Sequence, residues 1–171
     1  MVRLVEDIIN LSHLDEGAED MAKEDVNLYD VVNSTIGSLA PESESAGVTI
    51  DFAGEPITVR GIPQLLSGIV YNLCDNAIKY NREGGKVSVS LKEEDGEAAL
   101  TVADTGIGIP AEHQQRIFER FYRVDKSHSK EVGGTGLGLS IVKHAAKIHD
   151  AKIKLNSVPE QGTTITVTFP K

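Results

Sequence analysis

Two glycine-rich turns constrain this chain more than any other feature: Asp104-Thr-Gly-Ile-Gly-Ile-Pro110 and Gly133-Gly-Thr-Gly-Leu-Gly-Leu-Ser140. Glycine admits positive φ angles and lets a ligand approach the main chain. The first turn follows a strand-like run, and the second opens a helix-like run. A helix start presents unpaired N–H groups and a partial positive charge, which suits an anion. From Arg116 to Lys130 stand Arg116, Arg120, Arg123, Lys126 and Lys130 against Glu119 and Asp125, in a chain whose net charge is −9. A local basic excess between two glycine turns points to a polyphosphate ligand.

The acidic balance argues against nucleic acid or an anionic membrane as partner, since both need a basic face. Cys74 is the only cysteine, so no intrachain disulfide or cysteine metal cluster can form. This usage fits a reducing compartment. No apolar run approaches the roughly 20 residues that span a bilayer, and no signal peptide is visible. The 171 residues suffice for one domain with an appendage. The chain opens inside a helical pattern, so a piece of a longer protein is expected.

Helical spacing of Val5, Ile8, Ile9, Leu11 and Leu14 predicts a helix over 2–14, too small to fold alone and ended by an acidic linker at 15–20. A second helix is expected over 28–46, with Gly47 as its stop. Residues 48–52 and 57–59 alternate like strands, with Gly54 and Pro56 in the turn between. Pro63 opens a long helix to about Tyr80. Hairpins are expected at 86–91/98–103 and 151–155/163–169. A short helix is expected over 111–118 and another over 137–149. Paired strands alternating with helices predict an α+β, two-layer sandwich with a mixed sheet packed on helices.

Within the Pro63 helix, Asn72, Asn76, Lys79 and Tyr80 share one face, beside an apolar stripe of Ile69, Leu73 and Ala77. Asparagine is a poor interior helix former. The face is therefore either plain solvated surface or a Mg²⁺–phosphate face, with amide oxygens for a hard cation and Lys79 for phosphate. Asp104 has two readings as well. It caps the following turn, or it accepts a hydrogen bond from an exocyclic amine and so selects adenine over guanine.

Gly106-Ile-Gly-Ile-Pro-Ala111 formally matches the dinucleotide pattern G-x-G-x-x-[GA]. That pattern belongs in a βαβ unit with an acid ending the next strand. Asp125 has the distance but lies in a basic segment that is not strand-like, and Pro110 disturbs the turn. No G-x-x-x-x-G-K-[ST] run exists, so a Walker-type loop is excluded. Gly136 and Gly138 precede a helix and make the stronger phosphate candidate. Tyr122–Val132 reads as a lid or a plain loop, with Phe118 and Phe121 as core anchors at its root.

Taken as a set, these motifs resemble those of sensor histidine kinases. Asn72-Leu-Cys-Asp-Asn-Ala-Ile-Lys-Tyr80 resembles their N box, and Asp104-Thr-Gly-Ile-Gly108 their G1 box. Phe118-Glu-Arg-Phe-Tyr-Arg123 resembles the F box, and Gly134-Thr-Gly-Leu-Gly-Leu139 the G2 box. All four stand in the family's order over about Asn72–Lys143, and the wording after Phe121 resembles phosphate-regulon and cell-wall sensors. The resemblance implies the Bergerat ATP-binding fold, shared with gyrase, heat-shock-90 and MutL ATPases, and the cofactors ATP and Mg²⁺. It implies that Asn76 binds the metal, that Asn72 supports it, that Lys79 and Arg123 contact phosphates, and that Tyr80 contacts the nucleotide. Asp104 would read adenine, assisted by Gly106, Gly108 and Ile109. Gly134, Thr135, Gly136, Leu137 and Gly138 would form the lid hinge and phosphate contacts.

One departure stands out. The family's phosphoacceptor lies in a Ser-His-Glu-Leu-Arg/Lys-Thr-Pro setting, whereas Ser12-His13 here is followed by Leu-Asp-Glu-Gly, which resembles the tail of the second dimerisation helix. His13 is expected on the surface. His113, His128, His144 and His149 lack the setting too, and the spacing of His144 and His149 is not that of a metal pair. The expected division is a dimerisation stub at 1–16, a linker at 17–26 and a catalytic ATP-binding domain at 27–171. The expected function is γ-phosphoryl transfer to a histidine elsewhere. Expected partners are the kinase's own phosphoacceptor domain and a response regulator, in a cytoplasmic domain of a membrane-anchored parent that dimerises only at full length. Within the fold, a serine-directed anti-sigma kinase or a nucleotide-binding regulatory module are the alternatives; the stub helix argues against the former.

Overall fold

The computed structural model describes residues 2–17, 20–125 and 133–171. Five α-helices are present among them: α1 Val2–Gly17, α2 Leu28–Ser38, α3 Ala40–Ala46, α4 Pro63–Lys79 and α5 Gly138–Ile148. The strands are β1 Glu24–Asn27, β2 Thr49–Gly54, β3 Thr58–Gly61, β4 Lys86–Glu94, β5 Glu97–Asp104, β6 Lys152–Val158 and β7 Gly162–Phe169. A five-stranded sheet runs β2-β4-β5-β7-β6, and β1 and β3 form a small antiparallel ribbon. Among the described strands only β2 and β4 are parallel, so the main sheet is mixed.

Strand alternation builds the two layers. Val87, Val89 and Leu91 of β4 and Ile165, Val167 and Phe169 of β7 are buried under the helices. The row Ser90, Thr101, Thr166 and Lys154 runs across four strands on the opposite face. A sheet covered on one side produces this pattern of apolar in and polar out. Helix α4 lays Leu66, Ile69, Val70, Leu73 and Ala77 on the inner face. Each large side chain so buried contributes roughly 2 kcal/mol. Cys74 belongs to this core, and burial pushes its thiol up to about 12, so it packs as a small hydrophobe.

Several sequence expectations are corrected. The single helix over 28–46 is two, broken at Leu39, because Pro41 in the first turn of α3 has no N–H and its ring excludes a continuing helix. Gly47 does end the second piece, at φ 65°. The strand-like runs at 48–52 and 57–59 are both strands, but they do not pair with each other: β2 joins the main sheet while β3 pairs with β1. Strand β1 falls in the expected linker, and only Val26 of its four residues is buried, so it carries no alternation to read. The helix over 111–118 shrinks to one 3₁₀ turn, Ala111–His113. There the Gln114 side chain turns back to donate to the carbonyls of Ile109 and Ser157. Of the expected loop anchors, Phe118 is half-buried and Phe121 is 61% exposed; the buried residue is Ile117.

Candidate nucleotide-binding cleft

At one end of the sandwich, α4, the loop after β5 and the start of α5 enclose a cleft of about 450 Å³. Val102 and Ile165 of the sheet supply apolar floor. The polar face of α4 forms one wall: Asn72, Asn76, Lys79 and Tyr80 all border the cleft. The Asn72 amide donates to the Gly68 carbonyl at 2.8 Å, which turns its oxygen toward the start of α5 at Gly138. Lys79 Nζ donates to Asp75 Oδ2 at 2.8 Å across one helical turn. Asp75 is buried, which the sequence reading did not foresee; its partners compensate the desolvated carboxylate.

Asp104 ends β5 and borders the same cleft. Its Oδ1 accepts the backbone N–H groups of Gly106 at 2.8 Å and Thr163 at 3.2 Å. Burial raises its pKa above the ordinary value, and the two backbone donors work in the opposite direction. The following loop is bolted to the body. Ile107 N–H donates to the Tyr80 carbonyl at 3.1 Å, and Ile109 N–H to Ser157 Oγ at 2.8 Å. Gly108 takes φ 69°, and a Cβ there would lie 2.1 Å from the Val158 carbonyl oxygen. Only glycine fits that approach.

The second turn brings Gly134, Thr135, Gly136 and Gly138 to the opposite lip. Gly136 has φ 74°, and its carbonyl accepts the Phe121 N–H at 2.9 Å. A side chain at Gly134 would meet the Tyr80 hydroxyl at 3.3 Å and the Arg123 guanidinium at 3.6 Å, so these three converge. Burial raises the Tyr80 pKa, and the Arg123 charge lowers it again.

Of the expected residues, Gly108, Ile109 and Arg123 also border the cleft, while two do not. Gly106 acts through Asp104, and the Leu137 side chain is buried against Leu11, Leu14 and Ile141. The expected lid falls largely on residues 126–132, outside the described residues. His13 is exposed. His149 is a structural residue: its Nε2 accepts the Ile62 N–H at 2.9 Å, and Nδ1 lies 2.6 Å from the Ala145 carbonyl. Burial accordingly lowers its pKa. Sequence reasoning missed Asp75, Gln114, Ser157 and Thr163, whose roles come from packing rather than from any motif.

A two-layer α/β sandwich with an asparagine-lined cleft between two glycine turns defines a nucleotide-binding class. Residues 61–171 match the family described as histidine kinase-, DNA gyrase B-, and HSP90-like ATPase, and the chain belongs to that family. It is 39% identical to the sensor-like histidine kinase SenX3 of Mycolicibacterium smegmatis, over 98% of this chain and 44% of that protein. It is 35% identical to the sensor protein kinase WalK of Staphylococcus haemolyticus, over 99% of this chain and 28% of that one. The chain thus spans less than half the length of these curated relatives. A solved structure of the mycobacterial sensor histidine kinase MprB superposes with a TM-score of 0.77 at 29% identity, covering 87% of this chain and 97% of that one. Full-length ShkA, solved in complex with AMPPNP, superposes with a TM-score of 0.85 at 26% identity, covering 98% of this chain and 35% of that one.

Proposed function

We propose that this chain is the ATP-binding catalytic part of a sensor histidine kinase, which transfers the γ-phosphoryl group of ATP to a histidine on a dimerisation segment outside it. The observation that carries the reading is the shared cleft: Asp104, Asn76, Lys79, Arg123 and the second glycine turn all border it. ATP itself is supported by the family and by the AMPPNP complex of the similar ShkA structure. Asp104 would accept the adenine amine on its half-buried carboxylate, while Tyr80 flanks the nucleotide. Lys79 and Arg123 would hold phosphate charge, so that positioning and neutralisation carry the catalysis.

The donor set fits magnesium. Among the described residues no cluster of three or more His, Cys, Asp or Glu stands ready for a metal, so a cation would share its ligands between Asn76 and phosphate oxygens. Hard oxygen donors of this kind suit a cation that keeps several waters, with Asn72 beside it. Bound there, magnesium would offset phosphate charge.

The division into a stub at 1–16, a linker and a catalytic domain belongs to the same proposal, but with the catalytic body starting at Glu24 rather than at 27, because β1 pairs with β3. Val2, Val5, Ile8 and Ile9 of α1 are exposed, an apolar face that suits packing against partner helices. The downstream partner would be a response regulator. No described helix is long and apolar enough to cross a membrane; we place the domain in the cytoplasm of a membrane-anchored parent.

Titration calorimetry tests the site. Asp104→Asn is expected to weaken Mg-ATP binding about 100-fold, since it puts an amide where an acceptor is needed. Unchanged affinity would sink the assignment. Mixing the chain with a separate dimerisation segment and labelled ATP should yield acid-labile phosphohistidine on that segment.

A further inference from the structure

Arg3 lies in α1, far outside the matched family region, yet it borders the same cleft as Asn76 and Lys79. Its Nη2 donates at 2.6 Å to Asp75 Oδ2, the oxygen that also holds Lys79. The guanidinium carbon stands 5.4 Å from the Tyr71 ring centroid, which helps to fix its orientation. A guanidinium has five donors in a planar fork, so the one given to Asp75 leaves others for anion oxygens. Along the α1–α4 wall of the cleft, Arg3 and Lys79 balance Asp7 and Asp75. Without Arg3 that wall is net negative, which opposes a polyphosphate.

The same face of α1 carries the rest of its attachment. Asp7 Oδ2 accepts the Thr135 hydroxyl of the second glycine turn at 2.8 Å. Leu11 and Leu14 are buried against Leu137 and Ile141. Both Asp15 oxygens lie 2.8 Å from Arg120 Nη2. Positions 3, 7, 11, 14 and 15 form one stripe at helical spacing. The contact that seats α1 therefore also delivers Arg3.

We propose that Arg3 is a further phosphate-contacting residue, supplied by α1, so that seating of α1 and binding of a polyphosphate reinforce each other. The proposal rests on the reading of the cleft as a nucleotide site. Linkage then requires that nucleotide strengthen α1 seating by the factor by which seating strengthens nucleotide.

The test is affinity of the full chain for Mg-ATP and for adenosine, by competition against a fluorescent nucleotide. Arg3→Gln is expected to lower ATP affinity about tenfold, the loss of a charge-assisted bond, and to leave adenosine unchanged. Arg3→Lys should recover part of the loss. Arg120→Glu, which breaks the exposed clasp on Asp15, should weaken ATP in the same direction and add nothing to Arg3→Gln. Unchanged ATP affinity in Arg3→Gln, or equal losses of ATP and adenosine, would overturn the assignment. Unchanged affinity in Arg120→Glu would overturn the coupling. Asp104→Asn serves as the control: if it leaves both ligands unaffected, the nucleotide reading itself fails, whereas a loss there with none in Arg3→Gln removes only Arg3.

Discussion

Gly108 and Gly136 both sit at positive φ, 69° and 74°, one in each glycine turn, but their surroundings differ. The first turn is fastened to the folded body on both sides. Ile107 is bonded through its N–H to the Tyr80 carbonyl and through its carbonyl to the Glu160 N–H, while Ile109 is tied to Ser157. The second turn is held by the Phe121 N–H and, through Thr135, by Asp7 of α1, a helix outside the sheet-and-helix sandwich. The end of the cleft assigned to the base is thus built into the sandwich. The end assigned to phosphates takes part of its support from α1, through Asp7 and Thr135. On the proposed function, that asymmetry would keep the base end fixed while the phosphate end depends on α1.

The largest test of the comparison substitutes each glycine. Gly108→Ala places a methyl 2.1 Å from the Val158 oxygen, a backbone atom that cannot retreat without unpicking the strap. We expect about 3 kcal/mol of lost stability in denaturant unfolding, from strain and displacement together. Gly136→Ala meets the Phe121 backbone at 3.0 Å, a milder approach than at Gly108, in a half-buried stretch, and about 1 kcal/mol is expected. Equal losses would erase the difference between the turns.

Asn76→Ala sharpens the contrast within the cleft. It should lower ATP affinity about tenfold with magnesium present and leave it nearly unchanged in chelator, because its role runs through the cation. Asp104→Asn should weaken binding in both conditions. Losses independent of magnesium at position 76 would move Asn76 out of the metal's company.

The same asymmetry governs what could be read beforehand. Local signals were legible: Pro63 opening α4, the asparagine face, the hairpin of β4 and β5, and both glycine turns. The break at Leu39 also had a local cause in Pro41, which the helical pattern around it concealed. Strand β1 had one buried residue and no pattern. Its existence depends on β3, which lies about thirty positions away in the register that pairs Val26 with Val59. The straps from Gln114 and Ser157 and the seat of Arg3 are tertiary facts, because polar side chains like these occupy surface and site alike. Leu137 shows the limit of carrying roles along a motif. It stands among the glycines of the second turn, yet its side chain serves the α1 seam.

The smallest predicted effect concerns Asp104 without nucleotide. Its carboxyl is held above the ordinary 3.8 by burial, so ionising it costs the folded state more than the unfolded chain. The stability associated with the neutral form is present below 3.8 and is lost as pH rises through the elevated folded value. At pH 7 the ligand-free protein carries that cost in full. An asparagine side chain in its place would keep an oxygen for the Gly106 and Thr163 donors and carry no charge. Asp104→Asn is therefore expected to raise the melting temperature of the ligand-free chain by roughly 2 °C at pH 7, with the gap narrowing as the pH approaches 3.8. Scanning calorimetry at several pH values measures both. A variant less stable than the parent at pH 7 would mean that the two backbone donors outweigh desolvation, and that the base end of the cleft holds its carboxylate without strain.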